Sequence, residues 1–252
     1  MTAAARRRPA APLTACEQTS PMTNSDLPSA RPLPGGDLTS GDLNRGDLTG
    51  GDPGGGRLVI VSGPSGAGKS TVVRRLIDQC PVPLRLSVSA TTRPPRPGEV
   101  DGREYFFVSH EEFARRRACG EFLECKEVFG RGHWYGTLRG QVASGLNAGR
   151  WVILEIDVQG AIAVLSQSDL HPISVFIHSG GMEALAQRLR SRGTETPEAI
   201  QRRLEVAASE LSQMHRYDHE IINDNLDRAV DEFCRVLQQH QRQPTETACS
   251  KN

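Results

Sequence analysis

The sequence lacks any long apolar run, and this absence excludes a transmembrane helix, which needs about 18 consecutive apolar residues. The first eight residues include three arginines but precede no apolar block, so we do not expect a secretory signal. The chain also lacks a charge excess, because 30 lysines and arginines balance 30 acidic residues. No overall field therefore recruits nucleic acid, although a local basic cluster could still do so. We expect no nucleic-acid partner and, from the missing apolar run, no membrane partner.

Closely spaced cysteines are absent as well. The six cysteines are scattered, with no Cys-x-x-Cys pair and no histidine at metal-ligand spacing. This pattern favours reduced thiols and a cytoplasmic location. With 252 residues, of which 37% are apolar, the chain can bury one good core in one or two domains. The oligomeric state does not follow from the sequence.

Residues 1–56 differ in composition from the rest of the chain. They are rich in Pro, Gly, Ser, Thr and Ala, and contain an imperfect repeat starting at Gly36, Gly41 and Gly46. Such a segment has too little apolar surface to offset the entropy lost on ordering it. We predict a disordered low-complexity extension at 1–56, with a docking arm as the alternative, and a flexible tail at 242–252.

The most informative segment is 58–71, where an apolar run leads into a glycine-spaced loop. The loop matches G-x-x-x-x-G-K-[ST], whose backbone N–H groups bind phosphate oxygens together with the N-terminus of the following helix. Lys69 is expected to reach the β- and γ-phosphates of a nucleotide, and Ser70 to offer its hydroxyl to Mg²⁺. The predicted ATP-binding residues of this loop are Gly63, Pro64, Ser65, Gly66, Ala67, Gly68, Lys69, Ser70 and Thr71.

Strand-like and helix-like segments alternate between residues 57 and 241. The near-continuous apolar character of 151–156 is typical of a strand inside a parallel sheet. The alternation predicts an α/β fold with its site at the carboxyl ends of the strands. Besides 58–61, the predicted strands are 84–88, 105–108, 122–128, 151–156, 173–177 and 220–222. After the helix that follows the loop, the predicted helices are 110–119, 140–148, 158–165, 182–190, 197–214 and 226–240.

Residues 89–107 interrupt this alternation. Their prolines and glycines predict a stiff, irregular loop, and the guanidinium groups of Arg93 and Arg96 suit bidentate phosphate binding. Ser89 and Tyr105 add hydroxyl donors. We interpret the segment as a second anion site, while a solvated basic loop remains the alternative from these residues alone.

Taken together, the motifs resemble the guanylate kinase family of P-loop nucleoside monophosphate kinases. The similar segments are 63–71, 91–99, 120–124, 135–137, 155–160 and 192–197, in the family's order, and they cover nearly all of 57–241. The resemblance implies a parallel central sheet flanked by helices, with core segments at 57–89 and 150–241. It also implies an inserted mixed α/β GMP-binding region at about 90–149 and a helical lid at about 188–210.

The resemblance implies an activity and its ligands. The family transfers the γ-phosphoryl group of ATP to GMP, and we expect dGMP to be accepted too, giving ADP and the diphosphate for guanine nucleotide recycling, with Mg²⁺ accompanying ATP. A non-catalytic interaction module with the same fold and a P-loop kinase for another nucleotide are the alternatives.

Site residues follow from the resemblance position by position. The expected catalytic residues are Lys69, Arg93 and the lid arginines Arg192 and Arg203, and Asn223 is expected at the adenine of ATP. The expected GMP-binding residues are Ser89, Arg93, Arg96, Tyr105, Glu124, Tyr135, Thr137 and Asp157. Guanine presents two adjacent donors that an ionised Glu124 can accept, whereas adenine would leave a buried charge unpaired.

Some positions stay open. Glu121 and Glu127 lie close enough to Glu124 to allow a shifted assignment. Glu155 stands where family members often have aspartate, so its role is unsettled. The segment 130–135 is about two residues longer than is common in the family, and Arg131 or His133 could compete with Tyr135. Arg188, Arg190 and Arg202 are predicted to be ordinary solvated charges.

Overall fold

The computed structural model describes residues 55–128, 132–191 and 196–242. The predicted extension, apart from residues 55 and 56, and the predicted tail beyond residue 242 lie outside the described residues. So do Arg192 and Arg131. The described residues belong to one compact unit of the chain.

Nine strands and seven α-helices make up the described part of the chain. The strands are β1 (Leu58–Ser62), β2 (Leu84–Leu86), β3 (Ala90–Thr91), β4 (Phe106–Phe107), β5 (Phe122–Val128), β6 (His133–Leu138), β7 (Trp151–Glu155), β8 (Ile173–His178) and β9 (His219–Ile222). The helices are α1 (Lys69–Gln79), α2 (His110–Ala118), α3 (Arg139–Asn147), α4 (Val158–Leu165), α5 (Met182–Ser191), α6 (Pro197–Leu211) and α7 (Leu226–Arg242). A single 3₁₀ turn, Met214–Arg216, follows α6.

The central sheet has the strand order β2-β7-β1-β8-β9, and all its pairings are parallel. Parallel neighbours require long crossover connections, and the helices between the strands supply them. Strand β1 is the middle strand, so the glycine-rich loop leaves the sheet at its centre. The predicted α/β fold with a parallel central sheet is confirmed.

Apolar side chains cover both faces of this sheet. Val59 and Val61 of β1 belong to one cluster, which α1 and α7 complete. Leu58 and Ile60 belong to a second cluster, which α3 and α4 complete. All five residues of β1 are buried, as expected of a strand covered by helices on both sides.

A second sheet contains the shorter strands in the order β4-β3-β6-β5. Its β3–β4 pairing is parallel, whereas β6 pairs antiparallel with both β3 and β5. The sheet packs against α2 through a separate apolar cluster that includes Phe106, Phe113, Phe122 and Leu138. This sheet lies within the range 90–149.

Helices α5 and α6 form a small unit of their own. Leu185 and Leu189 of α5 pack against Ile200 and Ala207 of α6. Thr196 caps α6 by accepting a hydrogen bond from the Ala199 N–H, and Pro197 occupies the first helical turn. Among the described helices, none has the length and apolar character required to span a membrane.

The sequence predicted most element positions within two or three residues. The strands at 122–128 and the helix at 158–165 have the predicted bounds. Strands β3 and β6 were not predicted, and α6 ends at Leu211 rather than at residue 214.

Candidate active site

The loop between β1 and α1 has the backbone that its glycines predict. Gly63, Gly66 and Gly68 have φ angles of 137°, 95° and 88°, a region that residues with side chains rarely adopt. Lys69 folds back over this loop, and its Nζ donates to the carbonyl oxygens of Gly63 at 2.7 Å and Pro64 at 3.0 Å. The ammonium group therefore lies inside the predicted phosphate cradle.

Carboxylates surround this ammonium group. Burial lowers the pKa of Lys69, and the negative charges of Glu155, Glu210 and Asp157 oppose that shift. The cation is thus stabilised by acids from β7, α6 and the residue before α4. Phosphate groups entering the cradle would stabilise it in the same way.

Ser70 lies next to the end of β7. Its Oγ donates to Glu155 Oε1, with 2.5 Å between the two oxygens. A hydroxyl beside a carboxylate is the kind of oxygen donor set that Mg²⁺ prefers, so these residues fit the predicted metal role. Among the residues that the structure describes, no group of three or more His, Cys, Asp and Glu side chains could bind a metal on its own.

Two side chains from distant parts of the chain contact the loop. Asn223, which follows β9, donates from Nδ2 to the Ala67 carbonyl oxygen at 2.7 Å. Arg188 of α5 donates from Nη1 to the same oxygen at 3.3 Å and from Nη2 to the carbonyl oxygen of Asn223. The prediction that Arg188 is an ordinary solvated charge is wrong, because it links α5 to the loop.

Helix α6 reaches the outer end of the loop. Arg203 donates from Nη2 to the Ser65 hydroxyl at 2.7 Å. Glu210, two turns later on the same helix, interacts through its carboxylate with the Ser65 N–H. Arg190 and Arg202 are exposed, as predicted.

The second predicted anion site centres on Arg93. Its Nε donates to the Tyr135 hydroxyl at 3.1 Å, and its guanidinium carbon lies 5.5 Å from the centre of the Tyr105 ring. The two tyrosine rings meet edge to face, with 5.7 Å between their centres. The longer loop before Tyr135 therefore does not remove Tyr135 from this site.

The other predicted phosphate ligands lie on the same segment. Ser89 is half-buried directly before β3, and Arg96 is exposed on the loop that follows β3. His133 pairs with Val128 at the far end of β6.

Glu124 and Thr137 pair across strands β5 and β6. Glu124 Oε1 accepts from the Thr137 N–H at 3.1 Å and from its hydroxyl at 2.7 Å. A Cβ added to Gly160 would lie 3.1 Å from Glu124 Oε2, so the first turn of α4 approaches this carboxylate closely. Burial raises the pKa of Glu124, and the Thr137 hydrogen bond opposes the shift.

The neighbouring glutamates have other partners. Glu121 pairs with Arg116 at 2.9 Å, and Glu127 accepts from the Gly132 N–H at 2.8 Å. Of the three glutamates, Glu124 is the one beside Thr137.

Asp157 has two partners. Its Oδ1 accepts from the Gly160 N–H at 2.8 Å, which caps α4, and its Oδ2 lies 3.3 Å from Lys126 Nζ. Capping alone is a common role for an aspartate at a strand end. The position beside Lys126 also places a second carboxylate near Glu124, where it contributes to the raised pKa of Glu124.

The carboxyl end of β7 contacts both halves of the predicted site. Glu155, its last residue, accepts a hydrogen bond from Ser70 at the glycine-rich loop. Asp157, two residues later, lies 3.3 Å from Lys126 of β5 and caps α4, whose Gly160 lies beside Glu124. This arrangement is expected of a ligand cleft at the carboxyl edge of a parallel sheet.

A cavity of about 530 Å³ adjoins the first site. Ser70, Thr71 and Arg74 of α1 line it together with Leu226, the first residue of α7. None of the predicted GMP ligands contributes to its wall. The cavity shares only Ser70 and Thr71 with the predicted ATP-binding residues.

Comparison with known proteins identifies the family of this chain. The family model "Guanylate kinase" matches residues 55–240. A guanylate kinase of Rhodopirellula baltica is 60% identical over 197 residues, which are 78% of this chain and 93% of that protein. One of Symbiobacterium thermophilum is 50% identical over 182 residues, 72% of this chain and 84% of that protein.

A solved structure is also similar. The crystal structure of guanylate kinase from Anaplasma phagocytophilum has a TM-score of 0.61 and 33% identity, covering 75% of this chain and 88% of that chain. Because the family model matches residues 55–240 and these relatives are up to 60% identical, this chain belongs to the guanylate kinase family.

Proposed function

We propose that the protein transfers the γ-phosphoryl group of ATP to GMP, giving ADP and GDP. The observation that carries this proposal is the carboxyl end of β7, where Glu155 contacts Ser70 of the glycine-rich loop and Asp157 contacts Lys126 of the strand that carries Glu124. Donor and acceptor sites that adjoin one strand end bring the two nucleotides together.

The acceptor needs no general base from the protein. A phosphate oxygen of GMP is already anionic at neutral pH and attacks the γ-phosphorus of ATP. The new O–P bond forms as the bond from that phosphorus to the β,γ-bridging oxygen breaks, and ADP leaves with that oxygen. Catalysis then depends on alignment and on neutralising charge that spreads over the transferred group.

Cations from three elements supply that neutralisation. Lys69 lies within the glycine-rich loop, Arg203 contacts Ser65 at its outer end, and Arg93, held by Tyr135, would bind the acceptor phosphate. We assign Arg192 to the same task from its position in the family motif. Closure of the helical segment at about 188–210 would also exclude water, which otherwise competes as an acceptor.

Magnesium is part of the proposal. Ser70 would bind it directly, and Glu155 would orient Ser70 or a water of its shell. When bound with ATP, the ion neutralises charge on the β- and γ-phosphates.

Glu124 is proposed to select the base. Its carboxylate, oriented by Thr137, would accept from the N1–H and 2-amino groups of guanine. Adenine lacks that donor pair, and a site built on such pairing can discriminate by roughly 10⁴ or more. Because this selection acts on the base, we propose that dGMP is accepted as well.

We also propose the division of the chain into a core at 57–89 and 150–241 and a GMP-binding region at about 90–149. A cytoplasmic location is proposed too. The scattered cysteines of the sequence, with no Cys-x-x-Cys pair, support a reducing compartment.

An acceptor panel tests the proposed function. The purified full chain is incubated with MgATP and GMP, dGMP, AMP or UMP, and ADP formation is measured. We expect turnover with GMP and dGMP and at least a thousandfold lower kcat/KM with AMP and UMP. Lys69→Ala, prepared in parallel, controls for a contaminating kinase. Equal rates with AMP would contradict the base assignment, and no turnover with any acceptor would favour a non-catalytic module.

A further inference from the structure

Three carboxylates organise the loop after β3. Each accepts a hydrogen bond from a backbone N–H within the segment 96–107. Glu99 accepts from Arg96 at 2.7 Å, Asp101 from Phe107 at 2.8 Å, and Glu104 from Val100 at 2.7 Å. Because prolines and glycines leave this segment little regular structure, these bonds determine much of its path.

Glu99 also accepts a hydrogen bond from a predicted phosphate ligand, Arg93. Its Oε1 accepts from Arg93 Nη2 at 2.9 Å while Oε2 accepts from the Arg96 N–H. Only 11% of the Arg93 side chain and 18% of the Glu99 side chain are exposed. One carboxylate therefore joins the guanidinium of Arg93 to the backbone of Arg96.

This contact completes the fixation of Arg93. Each of its three guanidinium nitrogens donates to a protein oxygen, since Nε reaches Tyr135 and Nη1 reaches the Pro94 carbonyl at 2.7 Å. The planar group is thus held before any ligand arrives. A guanidinium fixed in its binding orientation loses less entropy when it binds a phosphate.

We propose that Glu99 is a positioning residue for the phosphate of the acceptor nucleotide. This inference rests on the proposed function of Arg93 in GMP binding. Glu99 acts through Arg93 and Arg96 and does not itself touch the nucleotide. The N–H of Arg96, and then Arg93, lower the pKa of Glu99, so the carboxylate is ionised at neutral pH and keeps both bonds.

A competing role for Glu99 predicts the opposite change in GMP affinity. A carboxylate on a phosphate-binding arginine could compete with the phosphate, in which case its removal would tighten GMP binding. The geometry favours positioning, because Glu99 also anchors the turn through the bond from its own N–H to the Arg96 carbonyl at 3.0 Å.

The chain offers a matched control. Glu104 also binds one arginine side chain and one backbone N–H of the same loop, at 2.7 Å for both Arg103 Nε and Val100 N. Its partner Arg103 is 64% exposed and is not among the predicted phosphate ligands. Glu104→Ala therefore reports on general disturbance of the loop.

The test compares Glu99→Ala, Glu99→Gln and Glu104→Ala by steady-state kinetics and by calorimetric binding of GMP and guanosine. For Glu99→Ala we expect the GMP KM and Kd to rise at least tenfold, while the ATP KM and the guanosine Kd change less than threefold. Glu99→Gln should recover part of the loss, because its amide oxygen accepts from one of the two donors. Glu104→Ala should stay within twofold of the unmodified chain.

The outcomes separate the two proposals. A normal rate with GMP in the unmodified chain and an unchanged or lower GMP KM in Glu99→Ala would overturn the role of Glu99 alone. An equal loss of GMP affinity in Glu104→Ala would overturn the positioning role of Glu99. An equal loss of affinity for guanosine and GMP in Glu99→Ala would do the same, because it would indicate a purely structural role. No phosphorylation of GMP by the unmodified chain would overturn the proposed function and this inference with it.

Discussion

The Ser70 hydroxyl donates to the Glu155 carboxylate, with 2.5 Å between Oγ and Oε1. These residues are 85 positions apart in the chain, and the parallel pairing of β1 with β7 brings them together. The sequence left the role of Glu155 unsettled. The contact shows that Glu155 lies beside Ser70, the proposed magnesium ligand.

Glu155→Gln should weaken magnesium use. The amide can still accept the hydrogen bond from Ser70 but carries no charge, and bonds to charged groups are worth about 1.5 kcal/mol more, roughly a factor of ten. The Mg²⁺ concentration for half-maximal rate at fixed ATP should therefore rise about tenfold. Glu183→Gln, at an exposed site on α5, is the control. An unchanged Mg²⁺ titration would remove Glu155 from the metal site.

Lys69→Ala should lower kcat by at least ~10²-fold, the usual loss for one preorganised donor at a transition state. GMP binding should stay within twofold, since Lys69 belongs to the other nucleotide's site. Lys69→Arg should remain impaired, because the ammonium fits between the Gly63 and Pro64 carbonyls and a guanidinium is larger. Stopped-flow turnover and GMP titration check both parts, and normal kcat in either variant contradicts the assignment.

Glu124→Gln should raise the GMP KM by about tenfold to a hundredfold, because an amide can accept from only one of guanine's two donors. The same substitution should not destabilise the nucleotide-free protein, although it weakens GMP binding. The pKa of Glu124 is raised by burial, so the folded chain retains this proton more tightly than the unfolded chain.

That shift defines a pH dependence of stability. Protonated Glu124 favours folding below the ordinary glutamate pKa of about 4.3, and this contribution is lost as pH rises through the raised value. At pH 7–8 Glu124→Gln should consequently melt at the same temperature as the unmodified chain or higher, with the difference shrinking toward pH 4. A clearly lower melting temperature at pH 8 would argue against a buried, costly charge.

His240 should make the protein sensitive to mild acid. Its Nε2 lies 2.9 Å from Nε2 of His219, and burial, followed by His219 and Arg57, lowers the pKa of His240 while Asp218 opposes the shift. Neutral His240 therefore contributes stability above about pH 6.5, which is lost as pH falls through the lowered value. His240→Gln should reduce the drop in melting temperature between pH 7.5 and 5.5. His171→Gln, at an exposed position, should not.

The fold and the glycine-rich loop followed from local patterns, whereas Glu124, Arg203 and Asn223 were expected only from the family resemblance. The P-loop motif and its flanking apolar runs located β1, the cradle and α1, since all three depend on neighbouring residues. Strand β6 was missed because Gly136 interrupts its pattern. A Cβ at Gly136 would meet the Phe122 ring at 2.7 Å, so this glycine serves packing between paired strands that sequence spacing does not reveal.

Arg188 illustrates the other limit. Helical spacing from Leu185 and Leu189 places it at the edge of the buried stripe of α5. Its partners, however, are the carbonyl oxygens of Ala67 and Asn223, which lie 121 and 35 positions away. Backbone acceptors carry no side-chain signature, so a residue that binds only carbonyls leaves no pattern in the sequence.

Strand β1 is apolar on both faces, so hydrophobic burial alone does not fix its register against the neighbouring strands. A slip of one residue would merely exchange Leu58 and Ile60 with Val59 and Val61 between the two clusters, so hydrophobic burial discriminates weakly between the alternatives. We infer that the correct register is selected at the end of β1. There Lys69 and Asn223 donate hydrogen bonds to carbonyl oxygens of the glycine-rich loop, and a shifted strand would break these bonds. The residues proposed to bind a phosphate would thus also fix the register of β1 in the sheet.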